Sequence, residues 1–159
     1  MPSRAGIIVT TALLSGALVG GAGAASAASG GPVVTRGGGT ETFADDLFLD
    51  LCGIETETTL TETWTLKEFP DGSSTLQDER TFVPADPRLP VEKGAATSFN
   101  APDGSRRVVG KPIQIISRTG GGTRILDAGQ VWFDADGDAG TMHGPHPSLT
   151  TDLAEYYCP

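Results

Sequence analysis

Few residue types in this sequence can carry chemistry. There are two cysteines and two histidines, and eleven basic residues stand against twenty acidic ones. The resulting net charge of −9 argues against nucleic acid and against anionic membranes as partners, because both repel an acidic surface. No serine stands in a G-x-S-x-G phrase, so the nucleophile elbow of a serine hydrolase is missing. No twin arginine precedes the apolar start of the chain, and no cysteine follows it that could take a lipid. There is no self-similarity at solenoid or propeller period. No complete catalytic motif is present, and no cofactor is expected.

What is there begins with an export signal. Arg4 supplies a positive start, and residues 5–23 are uncharged and mostly apolar. The run Ala24-Ala25-Ser26-Ala27-Ala28 contains an A-x-A cleavage pattern, which places the cut after Ala27 and makes residues 1–27 a signal peptide. A secreted or extracytoplasmic protein with no membrane span after cleavage is expected. Its charge would be −10, since Arg4 is the only charged residue lost. Residues 28–39 are rich in glycine and small residues and read as a flexible leader. Residues 40–159 then form a single β-rich domain, with order beginning near Thr40. In an exported chain, Cys52 and Cys158 read as one disulfide.

Strand signals dominate that domain. Leu47, Leu49 and Leu51 fall at period two, so Phe43 to Leu51 is expected to be a strand ending at Cys52-Gly53. Thr56 to Phe69 is loaded with β-branched threonine. Pro70-Asp71-Gly72-Ser73 is a turn, and a strand from Thr75 to Val83 follows it. The three prolines between Pro84 and Pro90 mark a crossing loop or an edge. Further strands run from Val91 to Phe99 and, after Pro102-Asp103-Gly104, from Arg106 to Ser117, with a bulge or bend at Gly110-Lys111-Pro112. Gly120 to Gly122 turns the chain into a strand from Ile125 to Asp134. A turn at Ala135 to Asp138 and a short return through Met142 complete the hairpin. Ser148 to Cys158 shows helical spacing, with Pro147 at the first helical position and His146 as its cap. The fold expected is an all-β, small antiparallel β-barrel, lipocalin-like by architectural analogy alone, with a short C-terminal helix. An open β-sandwich is the alternative.

Three groups of residues could carry a site. Asp134, Asp136 and Asp138 alternate in a tight loop, as calcium ligands do, but the glycine comes one place early and Pro145 stands where an EF-hand needs glutamate. A plain turn is the stronger reading. His143 and His146 form an H-x-x-H pair able to share a transition metal, although a catalytic zinc site needs a third ligand, which Asp127 or Asp138 could supply. The third group follows from strand parity. Glu62 shares parity with Leu60 and Trp64, Asp78 and Arg80 with Leu76 and Phe82, and Asp127 with Ile125, Val131 and Phe133. Either these side chains line the inside of the barrel as a ligand pocket, or a bulge turns them to water. The low hydrophobic contrast of the third strand favours the second reading.

The phrases Val83-Pro84-Ala85-Asp86-Pro87, Ala101 to Arg106, Asp127-Ala128-Gly129 with Phe133 to Gly137, and Gly144-Pro145-His146-Pro147 occur here in that order. In this the chain resembles a group of small exported actinobacterial β-rich proteins, mostly uncharacterised. The resemblance implies an exported β-rich domain and transfers no activity, cofactor or catalytic residue. The functional expectation is an exported β-barrel that binds a small apolar ligand or a protein partner without catalysis, through Glu62, Trp64, Arg80 and Asp127. The rivals are a hydrolase or isomerase using inward carboxylates or a histidine-bound metal, and a structural protein of the cell envelope.

Overall fold

The computed structural model describes residues 30–159. The expected signal peptide lies outside the described residues. Seven strands form one antiparallel sheet whose spatial order is the chain order. They are β1 (Val33–Ala44), β2 (Glu57–Glu68), β3 (Ser74–Pro84), β4 (Val91–Asn100), β5 (Arg106–Ile116), β6 (Thr123–Phe133) and β7 (Ala139–His143). Two short helices, α1 (Asp46–Cys52) and α2 (Ala154–Tyr157), and a 3-10 turn at Pro147–Leu149 complete the fold. The all-β class is as expected. The ladder is not closed, because β1 and β7 are its two edges.

The long hairpins share one turn. In Phe69–Ser73, Ala101–Ser105 and Asp134–Asp138, the first residue's N–H donates to the fifth residue's carbonyl at 2.9, 2.9 and 3.1 Å, and the fourth residue's N–H returns to the first carbonyl. The fourth residue is always glycine, Gly72, Gly104 or Gly137, at φ 84°, 89° and 87°. A side chain there would be strained, so glycine sets the register of each pair of strands. Asp71 and Asp103 brace their turns by accepting from the N–H and hydroxyl of Ser73 and Ser105.

The register assigns each strand residue to a face. From Glu57 to Pro84 the pairing of β2 with β3 is unbroken, with Glu62 opposite Arg80 and Trp64 opposite Asp78. No bulge turns these residues away, so the favoured reading of a flipped register is corrected. The bend expected at Gly110 to Pro112 is present as a register shift between Gly110 and Ile113. On the same face Ile115 meets Ile125 and Val108 meets Val131. The opposite face carries the threonines, with cross-strand hydroxyl contacts from Thr40 to Thr61 at 3.3 Å and from Thr42 to Thr59 at 3.0 Å.

Three expectations fail locally. Of Phe43 to Leu51, only Phe43 and Ala44 lie in a strand, the end of β1, and the rest turns into α1. Asp45 accepts from the N–H groups of Leu47 and Phe48, and Gly53 closes the segment at φ 68°, so an N-cap and a C-terminal glycine override the period-two leucines and form α1. Only Phe48 of this helix is buried, and Leu47 and Leu49 remain 42% exposed. The glycine-rich leader is also wrong in part, since β1 begins at Val33 and pairs with β2 along its whole length. Gly37 lies directly under the Trp64 ring, which any side chain there would meet. The C-terminal helix is broken into two pieces because the Thr150 and Thr151 hydroxyls donate back to the Pro147 carbonyl, competing with the helical pattern. Pro147 does open the first piece, but the His146 side chain does not cap it.

The core is small. Phe48, Leu89, Ile115, Ile125 and Tyr157 form its buried cluster, where both helices meet one end of the sheet. Phe48 and Tyr157 pack edge to face at 5.7 Å. Cys52 and Cys158 are bonded, as expected, with Cα atoms 5.4 Å apart across 106 positions of sequence. Removing both thiols by Cys52→Ser and Cys158→Ser is expected to cost about 4–5 kcal/mol, from the loop entropy restored to the unfolded chain. Urea titration of the double variant measures this, and a loss below about 1 kcal/mol would refute the chain-entropy account.

Candidate functional site

The residues singled out by parity do share one face, the face that bears the helices. Glu62, Trp64 and Arg80 are half-buried there, and Asp127 is 2% exposed. Arg80 does not pair with Glu62 across the ladder. Its guanidinium turns along its own strand to Asp78 at 3.6 Å and donates to the Pro112 carbonyl at 3.5 Å, while Nε is buried without a partner. Burial raises the Asp78 pKa, and Arg80 opposes that shift. The shaft of Arg80 passes over Gly94, where a side chain would also meet the Pro112 carbonyl.

A second group joins this face from the C-terminal segment. The Tyr157 hydroxyl donates to the Glu92 carboxylate. Ser148 donates to Asp127 twice, from its N–H at 3.1 Å to Oδ1 and from its hydroxyl to Oδ2. Burial pushes the Glu92 pKa up, the Tyr157 hydrogen bond and Arg80 oppose the shift, and Asp45 and Asp127 add to it. Tyr157 is held protonated, first by burial and then by the Glu92 charge. Parity could have found Glu92, which lies opposite Phe82 and Ile115. Tyr157 and Ser148 gave no strand signal, because they reach the sheet from non-sheet segments. Chemically the group is a lock. Asp127 and Ser148 are buried and engaged with each other, and neither is available to a substrate as a base or nucleophile.

The other candidates separate. His143 is exposed and packs its ring edge against Trp132 at 5.6 Å. His146 is 7% exposed, with Nε2 on the Gln130 and His143 carbonyls at 3.1 and 3.3 Å and Nδ1 buried without a partner. One imidazole therefore faces solvent and the other is anchored to backbone, which is not the arrangement a shared metal requires. In the acidic loop, Asp134 Oδ1 accepts from the Asp136 and Asp138 N–H groups at 3.0 and 2.9 Å and so braces the turn. Among the described residues no group of three or more His, Cys, Asp or Glu side chains could hold a metal.

The face opposite the helices carries a stack of rings and a guanidinium. Arg107 lies over Phe99 at 4.5 Å and over Trp132 at 5.9 Å. The surface feature with the most unmet bonding capacity is instead the outer edge of β1. All twelve residues of β1 are exposed, and among the described residues the strand has a partner on one side only. At its Ala44 end lies an open depression of about 830 Å³, lined by Ala44, Asp45, Asp46, Leu49 and residues of the neighbouring 55–57 and 85–88 segments. Five of its lining residues are acidic, Asp45, Asp46, Glu55, Glu57 and Asp86. Its one lining base, Arg88, is spent on Asp86 at 2.6 Å, and this pair holds the Asp86 pKa down to about 2. Arg118 stands beside it, donating to the Pro84 carbonyl at 2.8 Å.

No family model, no curated protein and no solved structure matches this chain.

The Glu92 shift has a testable sign. A carboxyl whose pKa is raised by folding contributes stability while protonated, below its ordinary 4.5, and loses it as pH rises through the raised value. Glu92→Gln keeps an acceptor for Tyr157 and cannot ionise. It is expected to raise the thermal midpoint at neutral pH and to leave it nearly unchanged below pH 4.5. Equal shifts at both pH values would show that ionisation of Glu92 is not the cause.

Proposed function

We propose that this chain is an exported, non-catalytic binding protein whose partner is an extended polypeptide. The observation that carries the reading is the edge of β1. An unpaired strand edge presents a row of N–H and C=O groups that only another extended chain satisfies well. Folded proteins protect such edges with proline, bulges, lysines or short length. β7 has that protection, being five residues long and joined to β6 through a register shift. β1 has less of it: its pairing with β2 has no shift, the strand contains no proline or lysine, and its charges are limited to Arg36 and Glu41.

Other features support export and the absence of catalysis. The disulfide fits an oxidising compartment, and no helix among the described residues is long and apolar enough to cross a membrane. Kinship with the exported actinobacterial β-rich proteins belongs to the same proposal and rests on the ordered turn phrases. For a small apolar ligand the support is weaker. Of the polar residues expected to line a pocket, Asp127 is engaged by Ser148 and Arg80 by Asp78 and the Pro112 carbonyl, and the depression beside β1 is open. Of the two carboxylates expected to serve an enzyme, Asp127 is closed off by Ser148.

Native mass spectrometry of protein purified from its own host tests the choice between partners. A co-purifying polypeptide, with β1 amides that exchange slowly in the complex and quickly after its removal, is the expected result. A retained small molecule with β1 exchanging freely throughout would overturn the proposal.

A further inference from the structure

The free edge and the acidic depression meet at one end of one strand, and this constrains what the partner looks like. β1 runs from Val33 towards Ala44, and the depression opens at Ala44. An antiparallel strand added to β1 therefore begins beside Ala44 and ends beside Val33. We propose that the segment bound on β1 is an antiparallel strand whose N-terminal residues are basic. The inference rests on the reading of β1 as a binding edge, and it adds the direction and the charge of the occupant.

The argument for charge comes from which carboxylates are free. Asp86 is paired with Arg88, and Asp45 is spent on capping α1. Among the described residues, Asp46, Glu55 and Glu57 form no ion pair and are exposed around the mouth. Leu49, 42% exposed, and Pro87 add apolar surface to the same lining. Carboxylates beside apolar surface suit lysine or arginine, whose stem packs while its head pairs. The geometry of pairing brings such a side chain there. A residue directly opposite Ala44 in the added strand shares the face of Ala44 and of its other neighbour, Glu57. Ala44 has too small a side chain to block the path between them.

The alternatives are less favourable. A parallel strand forms slanted and slightly weaker ladder bonds, and it would bring its C-terminal end to the depression. A second copy of this chain would bring a net charge of −9 against −9.

Synthetic peptides separate these cases. Three peptides as long as β1, twelve residues, would alternate valine and threonine. One begins with two lysines, one ends with them, and one begins with two glutamates. Fluorescence anisotropy is expected to show the first binding about tenfold tighter than the second, as two partly screened ion pairs allow, with the third weakest. The advantage should shrink at high salt and vanish in the variant Glu55→Gln with Glu57→Gln, whose altered side chains are exposed and whose fold circular dichroism can verify. Hydrogen exchange in the complex should protect β1 amides. Equal affinity for the first two peptides, with β1 protected, overturns the basic N-terminal occupant and leaves strand addition standing. Binding with β1 unprotected overturns strand addition itself. A concentration-dependent dimer that protects β1 without peptide overturns the basic partner in favour of a second copy.

Discussion

The bond between Cys52 and Cys158 is the constraint on which the arrangement depends. A single sheet with solvent on one side and two short helices on the other has little apolar area to bury. Its main cluster is five residues, of which Phe48 and Tyr157 come from helices of seven and four residues. Helices that short have no stability of their own. The disulfide holds the two against each other and against Ile115 and Ile125, so that packing which could not order these segments separately orders them together. Small exported domains generally add such cross-links when the core is limiting.

Polar contacts fix where that clamp sits. Tyr157 on Glu92, Ser148 on Asp127 and Arg124 on the Tyr156 carbonyl at 3.0 Å each tie the C-terminal segment to one place on the sheet. Apolar contact alone would tolerate sliding, whereas a buried carboxylate without its donor is costly. The burial of Glu92 thus opposes stability at neutral pH, while its bond to Tyr157 helps select a single docking position.

Strands β2 to β7 were legible in the sequence because alternation and Pro-Asp-Gly chemistry are local signals. Parity groups Glu62, Trp64, Arg80 and Asp127 on one face, whereas the low contrast of β3 argued wrongly for a bulge that would turn them to water. What they contact was not legible. Whether Arg80 meets Glu62 or Asp78 depends on rotamer choice over Gly94, and Asp127 is closed by a serine twenty-one positions away. α1 was misread because leucines at period two outweighed the Asp45 cap and Gly53 stop that decide the segment. β1 was misread because glycine was taken for flexibility, while Gly37 is there to make room for a tryptophan from the next strand. The free edge followed from that second error, since a leader has no edge to offer.

The agreement between strand order and chain order also says how the molecule is made. Each strand needs only its immediate predecessor, so loops close over short distances and pairing can advance along the chain as a zipper. The cysteines are the exception, being 106 positions apart. Their bond can form only after the last strand has brought the C-terminal segment back over the sheet, so oxidation comes at the end of assembly. A chain emerging N-terminus first through a membrane would expose β1 from the earliest stage, with its outer edge open before the sheet that supports it is complete. Edge pairing with the wrong chain is then a hazard of synthesis.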